Sequence, residues 1–179
     1  MEKIIIDMPF LNEESFMALE SIKIEGEALG YPLVWGVKVD AGIISDGAGL
    51  VHLFKKHGFN VMVDLRFSHD VERCIVPLLK MKVDVVTVSD RNFISPHRKI
   101  NEVICFVDDG KGMVNTFTWV YLDALNDKYS GPANTIVNHQ EDISDLQQIM
   151  YGAKGIVYKD ILTAKNPVDY VHEINERFI

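Results

Sequence analysis

Short apolar runs, several closing on polar or ionisable side chains, recur along this chain, and stretches of helical period lie between several of them. The first run, Lys3 to Met8, carries three isoleucines and has Asp7 at its exit. Asn12 then offers a helix N-cap, and Glu13 and Glu14 suit the positive end of the helix dipole. Phe16, Met17, Leu19 and Ile22 supply that helix's buried face, and Gly30-Tyr31-Pro32 ends it. Leu33 to Val39 predicts a second strand with Lys38 embedded in it. The next helix carries Leu50, Val51, Leu53 and Phe54 and stops at Gly58, a good C-cap. A third strand, Phe59 to Val63, follows. Val71, Ile75, Leu78 and Leu79 then line a helix in which Pro77 marks a bend or a shorter element. Val83 to Val88 is a fourth strand. Strand and helix alternate without interruption, which argues for a parallel sheet with helical crossovers.

The second half is less regular. Ile94 to Asn101 has room for at most two turns of helix, and Val103 to Val107 predicts a fifth strand. Phe117 to Leu125 divides between helix and aromatic-rich strand. Asn134 to Asn138 is a strand, and Ile143, Leu146, Ile149 and Met150 give an amphipathic helix. Gly155 to Tyr158 is the last strand. Pro167 opens a closing helix faced by Val168, Val171, Ile174 and Phe178. No linker or low-complexity tract interrupts the pattern, so residues 1–179 read as a single domain.

Composition narrows the function classes. Hydrophobic residues make up 47% and charged residues 25%, as expected of a soluble globular chain. The formal charge of -8, with no basic patch, argues against nucleic acid as partner but leaves room for a small anion at a local cluster. No apolar run approaches a membrane span and no signal-peptide pattern is present, so the expectation is a cytoplasmic protein without a membrane partner. Cys74 and Cys105 sit inside apolar patterns and read as small hydrophobes in a reducing compartment. The histidines show no metal-ligand spacing, and no dinucleotide or Walker fingerprint occurs, so neither metal nor cofactor is expected.

Chemistry concentrates where the apolar runs end. The third run finishes in Asp64, Arg66, His69 and Asp70. In parallel α/β folds the carboxyl ends of the strands are where ligands bind. The competing interpretation is structural, with Asp70 capping a helix and Asp64 paired to Arg66. Lys38, inside an apolar strand, is expensive unless its ammonium reaches water or a carboxylate. Adjacent strands would bring it to Asp64. Asp7 is either a member of the same layer or a cap for the first helix.

Taken together, Asp7, Val37-Lys38-Val39 and Asp64-Leu65-Arg66-Phe67-Ser68-His69-Asp70-Val71 resemble the orotidine 5'-phosphate decarboxylase superfamily, whose members end the third strand in Asp-x-Lys-x-x-Asp. The match requires one inserted residue before His69-Asp70, and Arg66 stands where the family has lysine. The fourth strand is similar too, as is Gly155-Ile156-Val157-Tyr158-Lys159-Asp160-Ile161 followed by Asn166-Pro167.

The resemblance implies a compact (β/α)8 barrel, complete or short of one βα unit. It also implies a small phosphorylated substrate and a homodimer, because the second motif aspartate reaches into the partner's site. Lys38, Asp64, Arg66 and Asp70 would form the catalytic charge array of a metal-independent decarboxylase. Asp7, His69, Ser89 and Lys159 would bind the substrate, Asp7 at a ribose hydroxyl and Lys159 in place of a phosphate-binding arginine. Three departures count against catalysis, the first being the inserted residue, which shifts the direction of the Asp70 carboxylate. Arg66 is a poor proton donor, since its pKa stays above about 12, so Lys38 or His69 would have to deliver the proton. The expected glycine-rich phosphate loop is replaced by Asn138-His139-Gln140-Glu141-Asp142, whose charge opposes a phosphate. Two alternatives therefore stand beside decarboxylation: a non-catalytic binding or regulatory barrel, and a metal-dependent sugar-phosphate lyase of the same superfamily.

Overall fold

Eight parallel strands run in sequence order around a closed barrel, β8 pairing back onto β1. The computed structural model describes residues 3–9, 11–40, 49–65, 71–88, 104–107, 119–122, 135–142, 144–150 and 153–178. The strands are β1 Lys3–Met8, β2 Gly36–Asp40, β3 Asn60–Asp64, β4 Val85–Val88, β5 Ile104–Val107, β6 Trp119–Leu122, β7 Thr135–Asn138 and β8 Ala153–Tyr158. The described helices are α1 Glu13–Leu29, α2 Gly49–Lys56, α3 Val71–Lys80, α4 Asp145–Met150 and α5 Pro167–Glu176, with a single 3-10 turn at Ile161–Thr163. No strand is missing. The ambiguous run Phe117 to Leu125 contains β6, which fills the gap between β5 and β7.

Local chemistry explains the element ends. The Asn12 side chain accepts the Ser15 N–H at 2.7 Å and caps α1. Gly30 and Gly58 have φ of 79° and 82°, a left-handed geometry that favours glycine, and close α1 and α2. At each, two consecutive N–H groups reach back to the last turn: Gly30 and Tyr31 to Glu27 and Gly26, Gly58 and Phe59 to Lys55 and Phe54. Pro77 does not shorten its element, since α3 continues to Lys80. Asn166 caps α5 with Pro167 at the first position.

Strand alternation sorts the side chains into two environments. Ile4, Ile6, Val37, Val61, Val63, Val86, Val137 and Tyr158 face outward into the layer under the helices. Ile5, Met62, Val85, Ile136 and Val157 face inward and form a second apolar cluster, against which Trp35 packs. One step of two residues along each strand therefore reaches Asp7, Asp64, Thr87, Asn138 and Lys159. The barrel is plugged by apolar side chains below and carries polar ones at its carboxyl mouth.

The amino-terminal end is held by a different set of contacts. Lys55 of α2 bonds both oxygens of Asp84, at 2.9 and 2.7 Å, and Asp84 also accepts the Val61 N–H at 2.8 Å. Asn175 of α5 donates to the Leu33 carbonyl at 3.2 Å, and His172 lies 3.2 Å from Glu25 of α1. Cys74 is partly buried against the outer core.

Candidate functional site

Lys38 is the centre of the polar layer. Register pairs it with Asp7 on β1, and pairs Asp40 with Asp64 and Asp64 with Thr87 across β2, β3 and β4. The Lys38 ammonium lies 2.8 Å from Asp7 Oδ1, 3.1 Å from Asp40 Oδ1 and 3.7 Å from Asp64 Oδ2. Asp40 and Asp64 face each other across adjacent strands, a like-charge pairing that would repel without a cation between them. Lys38, Asp7 and Asp64 are buried, and Thr87 is fully so.

The second oxygen of Asp64 is also occupied. Thr87 Oγ1 lies 2.8 Å from Asp64 Oδ1 and 3.2 Å from the Val63 carbonyl. A hydroxyl has one proton, and the shorter, charge-assisted bond to the carboxylate is the stronger. Asp64 is thus fixed through both oxygens. The described residues of the layer carry three carboxylates against one ammonium.

The structure brings together Asp7, Lys38 and Asp64 from the residues singled out in the sequence. Asp7 does not cap α1, since Asn12 does. Lys159 is exposed, immediately beyond the end of β8. Arg66, His69, Asp70 and Ser89 lie outside the described residues, as do the short Ile94–Asn101 segment and the Asp108–Gly112 turn. Two further residues belong to the layer. Asp40 lies one residue beyond the apolar run Leu33 to Val39 and ends β2, and two-residue spacing from Lys38 places it on the same face. Thr87 is locally one more β-branched strand residue, and only the register with Asp64 distinguishes it.

A second polar cluster lies beside the mouth, where β7 and β8 end. Asp145, at the start of α4, is almost fully buried; its Oδ1 is 2.9 Å from His139 Nδ1 and its Oδ2 accepts from Arg177 at 3.3 Å. The His139 ring stacks on Tyr158 at 4.7 Å. Burial would raise the Asp145 carboxyl. Bonding and charge from His139, with contributions from Tyr158 and Arg177, outweigh it and hold the group below its ordinary range. Burial, with the Asp145 charge added, pushes the Tyr158 hydroxyl up. This network joins α4 and the residues after α5 to the last two strands. An open cleft of about 480 Å³ adjoins it, with Glu141, Asp160 and Tyr170 among its walls. Another, of about 440 Å³, lies at the opposite end of the barrel beside Gly26, Tyr31 and His57. That end is the one associated with stability in this fold.

Among the described residues, no group of three or more His, Cys, Asp and Glu is arranged to hold a metal ion. No described helix is long and apolar enough to cross a membrane.

These features define a TIM-type (β/α)8 barrel with a charged layer at the carboxyl ends of its first three strands, extended by Thr87 on the fourth. Solved structures share the whole architecture. An orotidine 5'-phosphate decarboxylase from Lactobacillus acidophilus superimposes with a TM-score of 0.70 at 14% identity, covering 99% of each chain. The corresponding protein from Thermotoga maritima gives 0.65 at 16% identity, covering 97% of this chain and 98% of the other. A 3-hexulose-6-phosphate synthase gives 0.63 at 15% identity, covering 98% and 99%. No protein-family model matches the sequence, and no curated protein matches it. At such identities the likeness defines the fold, and chemistry has to be argued from the site.

Proposed function

We propose that this protein is an orotidine 5'-phosphate decarboxylase-like barrel that takes a phosphorylated pyrimidine nucleotide at its carboxyl mouth and decarboxylates it without a metal. The observation that carries this reading is the buried Lys38 ammonium held between Asp7 and Asp64. In the proposed reaction the bond between the ring carbon and the carboxylate breaks, carbon dioxide leaves, and the electron pair stays on the ring carbon. Asp64, fixed by Thr87, faces the substrate carboxylate and raises the energy of the bound ground state relative to the transition state. Lys38 then gives a proton to the carbanion and regains one from solvent. Arg66 stabilises negative charge but does not donate, and Asp70 completes the array from the partner subunit of a homodimer. Asp7 accepts from a ribose hydroxyl, and Lys159, His69 and Ser89 contact the remainder of the nucleotide.

The fold equally accommodates a synthase acting on a sugar phosphate, which makes the metal-dependent lyase the second reading. What disfavours it is that Lys38 already engages the three carboxylates. Loss of ultraviolet absorbance on adding orotidine monophosphate, with and without a chelator, separates the alternatives. Nucleotide turnover that survives chelation supports the decarboxylase, and chelator-sensitive cleavage of a sugar phosphate without nucleotide turnover supports the lyase. Saturable binding without turnover would make the barrel a non-catalytic module.

A further inference from the structure

The three carboxylates around Lys38 are not equivalent. The Asp64 side chain is 3% exposed and tied to Thr87, and Asp7 is 11% exposed on the neighbouring strand. Asp40 is 50% exposed, lies two residues from Lys38 on the same strand, and accepts its hydrogen bond at 3.1 Å. Moving Asp40 away from the ammonium strands no buried charge, because its carboxylate rehydrates at the mouth. Moving either of the others would leave a carboxylate unpaired inside the barrel, which is far more costly.

We infer that Asp40 is a displaceable counter-ion for Lys38. It holds the ammonium in place until the anionic group of an incoming ligand takes its position, while Asp7 and Asp64 keep their contacts. Asp40 is then a positioning residue acting through Lys38, and it selects for ligands whose anion reaches Lys38. A ligand must compete with a tethered carboxylate, so weakly held anions are excluded and Lys38 stays aimed between turnovers. This builds on the decarboxylase reading by assigning a role at the same site, yet the exchange itself requires only a carboxylate ligand.

The test therefore uses two probes. Formate, a minimal carboxylate, is titrated into the full-length protein while the Lys38 side-chain methylene is followed by heteronuclear NMR. Asp40→Asn, nearly isosteric and half in solvent, is expected to tighten formate binding by about fivefold, the scale of a partly exposed ion pair. Asp40→Glu, which restores a competing carboxylate, is expected to return the affinity to within about twofold of the parent. With orotidine monophosphate, Asp40→Asn should lower KM by a similar factor and change kcat much less. Equal formate affinity in parent and Asn variant, or no response of Lys38 in the variant, overturns the inference even if the nucleotide is turned over. Tightened formate binding without nucleotide turnover supports the counter-ion role and removes the decarboxylase reading.

Discussion

An ammonium enclosed by a barrel is tolerated only with compensation, because stripping water from an ion costs several kcal/mol. Lys38 receives that compensation from Asp7, Asp64 and the more exposed Asp40. Removing the cation should cost more than removing its packing, since Asp7 and Asp64 would be left buried without it. Lys38→Met is expected to destabilise the fold by about 3–5 kcal/mol in urea denaturation at neutral pH. Adding Asp7→Asn and Asp64→Asn should recover much of that loss, whereas a purely steric role for Lys38 would make the triple variant worse. Thr87 allows a finer test. Thr87→Val preserves shape and deletes the donor to Asp64, so a loss of about 1.5–3 kcal/mol is expected. By the proposed mechanism it should also lower kcat more than it alters KM, because Asp64 would no longer be held in one orientation.

At the scale of elements, β2 and β3 approach so closely that a side chain is excluded. A Cβ added to Gly36 would fall 2.1 Å from the Asn60 carbonyl oxygen, and backbone cannot yield as a flexible side chain would. Gly36→Ala is expected to cost about 1–3 kcal/mol in thermal or chemical unfolding. It should also disturb the register that faces Asp40 with Asp64. The same two strands show what a single sequence reveals. Apolar runs and helix punctuation, such as Asn12, Gly30, Gly58 and Pro167, are local signals, and the elements they mark are present. Lys38 is legible locally because a cation in an apolar strand is costly without a partner. Asp40 and Thr87 break no local rule; Asp40 shares the Lys38 face by spacing alone, but its opposition to Asp64, and the whole role of Thr87, come only through pairing with a strand distant in sequence. The aromatic run containing β6 is ambiguous for the same reason, its state being decided by the requirement that β5 and β7 be bridged.

For the whole molecule, the question is how the last strands and helices are locked onto the ring, and the answer makes stability depend on pH. Asp145 ties α4 to His139 after β7 and to Arg177 after α5, and its carboxyl is held below the ordinary value of 3.8. The folded state thus binds the Asp145 proton more weakly than the unfolded chain does. Its stabilisation is present above 3.8 and fades as pH falls through the lower folded value. At the alkaline end the sign reverses. Tyr170 is pushed up to about 12, first by burial and then by its 2.6 Å bond to Asp160. Between its ordinary 10.0 and about 12 the folded state keeps a proton that the unfolded chain has released, so stability falls as pH rises. Urea midpoints measured from acid to alkaline pH should therefore drop at both extremes. Asp145→Asn is expected to lower the neutral plateau, flatten the acid limb and weaken the alkaline limb in part, because the Asp145 charge also pushes Tyr158 and Tyr170 up, whereas Tyr170→Phe should weaken the alkaline limb and leave the acid limb in place. An acid limb unchanged by Asp145→Asn would mean that this carboxylate does not lock the ring.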